Sequence, residues 1–270
     1  MPGMPQYLFQ PEYQNGSRGR VFVQNILPAS RKYAATCVII PPFAEEMNRS
    51  RRTMALLGCA LASGGYKAVI PDLYGSGDSE GGFGDARWDL WKADLIRTCT
   101  TEGAGHGLVV VGIRTGALLA LELLEEVNVD RCLLIQPVTD GRSFLRQFMR
   151  LAEVGSMLGT KPARTVSDLV KSLQEGESVE VAGYVVHPEL YSSLSAATLA
   201  QCIPNCPTNW FEINSSGSVP LMSGKVFDGW LDKKQAPLEI DVISDPPFWR
   251  TQEVSVGANV IENAFAVLTA

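Results

Sequence analysis

The chain has 270 residues, a length that suits one large α/β domain with a sizeable core, or two small ones. Hydrophobic residues make up 46% and charged residues 19%, a globular composition that excludes intrinsic disorder. The net charge of −6, with no long Lys/Arg block, argues against nucleic acid as a partner. No stretch of about 18 apolar residues predicts a membrane span. The opening MPGMPQYLFQPEYQNG lacks the basic start and apolar core of a signal peptide, so a cytoplasmic location is expected.

In chain order, 20–27 (RVFVQNIL) and 36–40 (TCVII) read as strands rich in β-branched residues. Residues 48–62 place Met54, Leu57, Ala60 and Leu61 at helical spacing, and Gly64-Gly65 ends that helix. A strand at 67–71 leads into a glycine-rich loop. Residues 85–101 form an amphipathic helix with Trp88, Trp91 and Leu95 on one face. The run LVVV (108–111) is a fully apolar strand, the kind buried in a parallel sheet. A helix at 115–127 and a second buried strand at 131–135 follow. The rhythm then breaks. Residues 140–205 read mostly as helices, with a short extended piece at 179–186. Strands return at 209–213 and 238–243, and a helix at roughly 258–268 closes the chain. Alternating strand and helix implies a mostly parallel, doubly wound sheet. The expectation is a single domain over 1–270, with 140–205 as a helical cap inserted over the sheet's carboxyl edge.

The segment VVVGIRTGALL (109–119) runs from a buried strand through Gly112-Ile113-Arg114-Thr115-Gly116 straight into a helix. That is the strand–turn–helix setting of the G-x-S-x-G nucleophile elbow. The glycines are required because the turn is too tight for side chains beside its neighbours. The middle residue is driven into a strained conformation that aims its side chain at the pocket. Here that residue is Arg114. PDLYGSGDSEG (71–81) looks like the D-x-x-G-x-G-x-S loop after an earlier sheet strand in many α/β hydrolases, and PPFAEEMNRSRR (41–52) occupies the loop that helps make an oxyanion hole.

With these segments, DLYGSGDSEGGFGDARWDLWKADL, GIRTGALLALELL, LLIQPVTDGRSFLRQFMR and DPPFWRTQEV make the chain resemble the second hydrolase-like family associated with the exosortase A system. That is a bacterial α/β-hydrolase family found with PEP-CTERM protein sorting and exopolysaccharide genes. The resemblance covers most of the chain. It implies an α/β-hydrolase fold, arginine as the habitual elbow residue, and a protein partner in such a system.

Arginine stays protonated and offers no lone pair, so Arg114 is no nucleophile. The strand at 209–213 is followed by Asn214-Ser215-Ser216, with no carboxylate until Asp228. The last strand leads into Ser244-Asp245-Pro246-Pro247-Phe248-Trp249, where a base is expected and no histidine stands. His106 precedes the elbow strand at the opposite end of the sheet, and His187 lies in the cap. The candidate pocket residues are Arg114, Thr115, Glu45, Glu46, Asn48, Asp78, Glu253 and Trp249. Arg114, beside a helix N-terminus, suits a small anionic ligand. Alternatively, Glu45, Glu46 or Glu253, all expected in loops at this edge, neutralise it. Asp78 and Ser79 either belong to a displaced site or fix their turn through backbone hydrogen bonds, the commoner role. Trp249 with Phe248 is expected to plug the cavity a histidine would face. No cofactor is expected. The spacing of Cys202 and Cys206 fits no common zinc motif, so no metal is expected either. The leading expectation is a binding protein without serine-hydrolase chemistry. The alternative is an esterase, thioesterase or acyltransferase with a rearranged catalytic set.

Overall fold

The β-branched runs of the first half assemble into the centre of an eight-stranded sheet. In the computed structural model, residues 6–157, 164–251, 253 and 255–270 are described. The chain forms β1 (Tyr7–Asn15), β2 (Arg20–Pro28), β3 (Ala35–Ile40), α1 (Glu45–Ser63), β4 (Tyr66–Pro71), α2 (Trp88–Glu102), β5 (Gly107–Ile113) and α3 (Gly116–Leu123). Then come β6 (Arg131–Ile135), α4 (Gly141–Met157), α5 (Val166–Gln174), β7 (Val179–Val181), β8 (Tyr184–Val186) and α6 (Pro188–Ala196). Finally β9 (Thr208–Ile213), α7 (Leu221–Leu231), β10 (Leu238–Ile243) and α8 (Ala258–Thr269) complete it.

The sheet order is β1-β2-β4-β3-β5-β6-β9-β10. β1, β2 and β4 pair antiparallel, and every pairing from β4 onward is parallel. The mostly parallel, doubly wound sheet expected from the sequence is therefore present. One face buries Ile39, Val111, Leu133 and Phe211 with α1 and α8 residues such as Leu57 and Val260. The other buries Val38, Val110, Leu134 and Trp210 with Trp91, Leu119 and the helices after β6. Coverage of both faces explains why LVVV is apolar without alternation. The chain leaves β3 for β4, then crosses back to β5 on β3's other side. At that reversal the carboxyl ends of β3 and β5 open a crevice, the usual ligand position in such sheets.

Between β6 and β9 lie α4, α5, the β7–β8 hairpin and α6. The two ends of this stretch are zipped together. Asp140 and Thr198 form an isolated bridge, Gly141 N–H donates to the Ala197 carbonyl (3.0 Å), and Leu199 N–H donates to the Thr139 carbonyl (3.1 Å). Two elements have weak sequence signals. β1 carries Pro11, which speaks against a strand, but β1 is the sheet edge, where a missing N–H is tolerated. α7 holds two glycines and is positioned by burial of Phe227 and Trp230 rather than by helix propensity. Helix α1 begins at Glu45, three residues earlier than its apolar periodicity indicates, so Glu45 and Glu46 sit in its first turn and not in a loop. Carboxylates there are favoured by the helix dipole. All six cysteines are free thiols, five of them buried. Burial pushes Cys99 up to about 12.

Candidate functional site

Only Arg114 and Thr115 separate β5 from α3. Arg114 takes φ 56°, the left-handed region that L-residues avoid. Its N–H donates to the Ile135 carbonyl (3.0 Å), and its own carbonyl accepts from Ala117 N–H and Val138 N–H (3.1 Å each). A Cβ on Gly112 would lie 2.5 Å from Ala117 Cα, and one on Gly116 would lie 2.5 Å from the Ile40 carbonyl oxygen. Both obstacles are backbone atoms, so glycine is obligatory at each position. Ala44 (φ 50°) and Gln136 (φ 42°) are also left-handed. Three of the chain's strained residues thus stand at the carboxyl ends of adjacent strands β3, β5 and β6. Each costs of order 1–3 kcal/mol, and such strain clusters at functional sites.

The Arg114 guanidinium grips Glu46 with two parallel bonds, Nε to Oε2 and Nη2 to Oε1, both 3.1 Å. Nη1 donates to the Gln136 carbonyl at 3.0 Å, and the Trp249 ring lies under the cation at 5.0 Å from Cζ. Three of five N–H donors are used. The two side chains are only 15% and 21% exposed. Burial pushes the Glu46 carboxyl above its ordinary range, while the charge and hydrogen bonds of Arg114, and the charge of Arg250, pull it back.

Glu45 does different work. It pairs with Arg49 one turn on (3.2 Å), and with Asn48 it meets the Tyr184 hydroxyl of the β7–β8 hairpin (3.2 and 3.1 Å). Burial and the neighbouring Glu45 push the Tyr184 phenol up to about 12. Arg49 also donates to the carbonyl oxygens of Arg250 and Thr251, fixing the loop that carries Trp249. Glu45, Glu46, Arg49, Arg114, Trp249 and Arg250 line a cavity of about 270 Å³ with Phe43, Phe144, Phe148 and Leu151 as its apolar wall, and Asn48 lies outside it. A smaller hollow of about 160 Å³ continues from Arg114 past Thr139 and Ser143.

Of the remaining sequence-derived candidates, Thr115 is buried at the N-cap of α3. Asp78 is exposed and contributes its N–H to Asp72 Oδ2 (2.8 Å), which also takes Arg51 (3.0 Å). Ser79 Oγ accepts from Phe22 N–H (2.8 Å) and donates to the Asp72 carbonyl, so this loop is held by its turn hydrogen bonds. Glu253 is exposed and forms no ion pair with Arg114 among the described residues. Phe248 is core, while Trp249 faces the cavity. His187 caps α6, its Nδ1 accepting from Glu189 N–H (3.2 Å). His106 packs at a tilt against Tyr33 before β5.

A second shell of contacts escaped sequence reasoning. Gln136, whose carbonyl holds Arg114, gives its amide Nε2 to Glu212 Oε2 (2.9 Å) and accepts at Oε1 from Ile213 N–H. Glu212 Oε1 takes the Trp210 indole N–H (2.8 Å). A lone carboxylate inside the apolar strand NWFEI was the available signal, since a buried acid needs partners.

The fold has many solved counterparts. Est1E from Butyrivibrio proteoclasticus, in one structure with ferulic acid bound, superposes with a TM-score of 0.61 at 13% identity, over 96% of each chain. A soluble variant of monoglyceride lipase from Saccharomyces cerevisiae, in complex with a substrate analog, gives 0.64 at 13% identity, over 99% of this chain and 96% of the other. The fold is that of the α/β hydrolases. An α-beta serine hydrolase homologue from Coxiella burnetii gives 0.54 at 14% identity, over 96% of this chain and 95% of that one. No family model and no curated sequence matches the chain. Arg114 stands at the turn between β5 and α3, and Ala44 in the segment that follows β3.

Proposed function

We propose that this α/β-hydrolase-fold protein binds a small anion at the elbow and does not hydrolyse esters. The observation that carries this is Arg114 itself. It is a permanent cation held in a strained elbow, with two N–H groups beyond those bonded to Glu46 and Gln136. Further support comes from the two histidines, one capping α6 and one packed at a tilt against Tyr33. The resemblance to the exosortase A-associated family extends the proposal to a bacterial sorting or exopolysaccharide system, with a partner protein that responds to the ligand.

Two measurements test it. Acetate titrated into the protein should shift the Trp249 indole resonance, and Arg114→Met should abolish that shift. p-Nitrophenyl acetate should show no turnover above background. Robust hydrolysis removed by replacing one cap or loop residue would overturn the proposal.

A further inference from the structure

The wall and the charge count of the Arg114 cavity narrow its ligand. The cavity carries three guanidiniums and two carboxylates. Arg49 is matched by Glu45 and Arg114 by Glu46. Arg250 is exposed and has no carboxylate partner among the described residues, though its charge acts on Glu46. One negative charge restores balance. That favours a carboxylate over a phosphate, which carries close to two charges at neutral pH. Guanidinium N–H groups and a carboxylate also match in planar geometry.

The opposite wall is apolar. Phe144, Phe148 and Trp249 are buried in the protein, but Leu151 is 47% exposed at the cavity. An open apolar side chain beside a charged floor suits a ligand with a polar head and an apolar body. The volume, about 270 Å³, lies just below the roughly 300–1,000 Å³ usual for ligand pockets, so that body is short.

We infer that the ligand is a small amphiphilic carboxylate, one ring or a short acyl chain, with its head between Arg114 and Arg250 and its body against Phe144, Phe148 and Leu151. This rests on the anion-binding reading above.

Calorimetric titration with acetate, butanoate, hexanoate and hexanamide tests it. Affinity should rise about fourfold for each methylene buried, from acetate to hexanoate. Hexanamide, lacking the charge, should not bind. Arg250→Gln should weaken every carboxylate about two- to fivefold while leaving the chain-length gradient. Leu151→Gln, on an exposed position, should flatten the gradient. Equal affinity for all three carboxylates would overturn the amphiphile inference and leave the anion reading intact. Hexanamide binding as tightly as hexanoate would overturn the carboxylate head. Failure of every carboxylate to bind would overturn both.

Discussion

Arg114 and Glu46 are unequal partners, because only one of them can give up its charge. Arginine stays protonated, whereas a carboxyl already pushed up by burial takes a proton readily. Glu46→Ala therefore leaves a cation in a largely closed site with only the Gln136 carbonyl and the Trp249 ring. The expected loss is about 3 kcal/mol, the low end for a broken buried pair. Glu46→Gln keeps an acceptor oxygen and should lose less. Arg114→Met should also lose less than Glu46→Ala, since the stranded carboxyl can protonate. Urea unfolding of the three variants checks the order, and a cheap Glu46→Ala would refute it. The same asymmetry sets a pH dependence. Glu46 is faced by Arg114 from the elbow, Arg250 from the loop after β10, and Glu45 and Arg49 on its own helix. Its folded value stays above the unfolded one, so its contribution to stability is fully present below the ordinary carboxylate range. That contribution is lost as pH rises through the raised value. Unfolding free energies of the native chain should fall across that window, and Glu46→Gln should remove the trend. A native curve that rises there relative to Glu46→Gln would show that the ion pair outweighs burial.

Phe43 follows β3 and packs edge-on against Phe83, Phe144 and Phe148 at 5.1–5.7 Å between ring centres. Such pairs add about 0.5–1.5 kcal/mol beyond area burial. Phe43→Ala should cost about 3–5 kcal/mol. Its effect on hydrogen exchange should be uneven, with faster exchange in α4 and the β7–β8 hairpin than in β5. Equal acceleration everywhere would mean that α4 and the hairpin do not depend on this contact. The elements of this region were unevenly legible. The helical character of 140–205, the extended piece at 179–186 and the two glycines of the elbow are legible in the sequence. The start of α1 does not, because Ala44 turns the chain with a left-handed φ that alanine rarely adopts, and the helix begins at once. A sequence pattern carries no sign of that turn, so Glu46 reads as a loop residue although it is a helix residue aimed at Arg114. Glu212 was missed for a related reason. Trp210 lies two residues away on the same strand, but Gln136 becomes a neighbour only when β6 and β9 pair.

At the scale of the whole molecule, the doubly wound sheet was legible because its buried strands are short, apolar and regularly separated by helices. Its β10 edge was legible too, at 238–243, but its β1 edge was not, since Pro11 interrupts the strand pattern there. That division bears on catalysis. The sheet fixes where an elbow residue, an acid and a base would stand, whatever side chains occupy those places. On the proposed reading Arg114 holds the first place. After β9 comes Asn214, which closes its own turn by accepting from Ser216 N–H (3.0 Å) and Gly217 N–H (3.1 Å). After β10, Asp245 accepts from Val260 N–H at the start of α8 (2.7 Å), and Trp249 faces Arg114. A serine put at the elbow would thus have a tryptophan beside it and no imidazole to take its proton. Serine without a base is a poor nucleophile. Arg114→Ser should fold, because the elbow's glycines and backbone hydrogen bonds do not depend on the arginine side chain. It should turn over p-nitrophenyl acetate no faster than the native chain. It should also lose the acetate response of Trp249, because the cation that binds the anion is gone. Saturable hydrolysis by the Arg114→Ser protein, with a rate that rises through an ionisation near neutral pH, would reveal a working base. The pocket would then be an enzyme's site held silent by one residue.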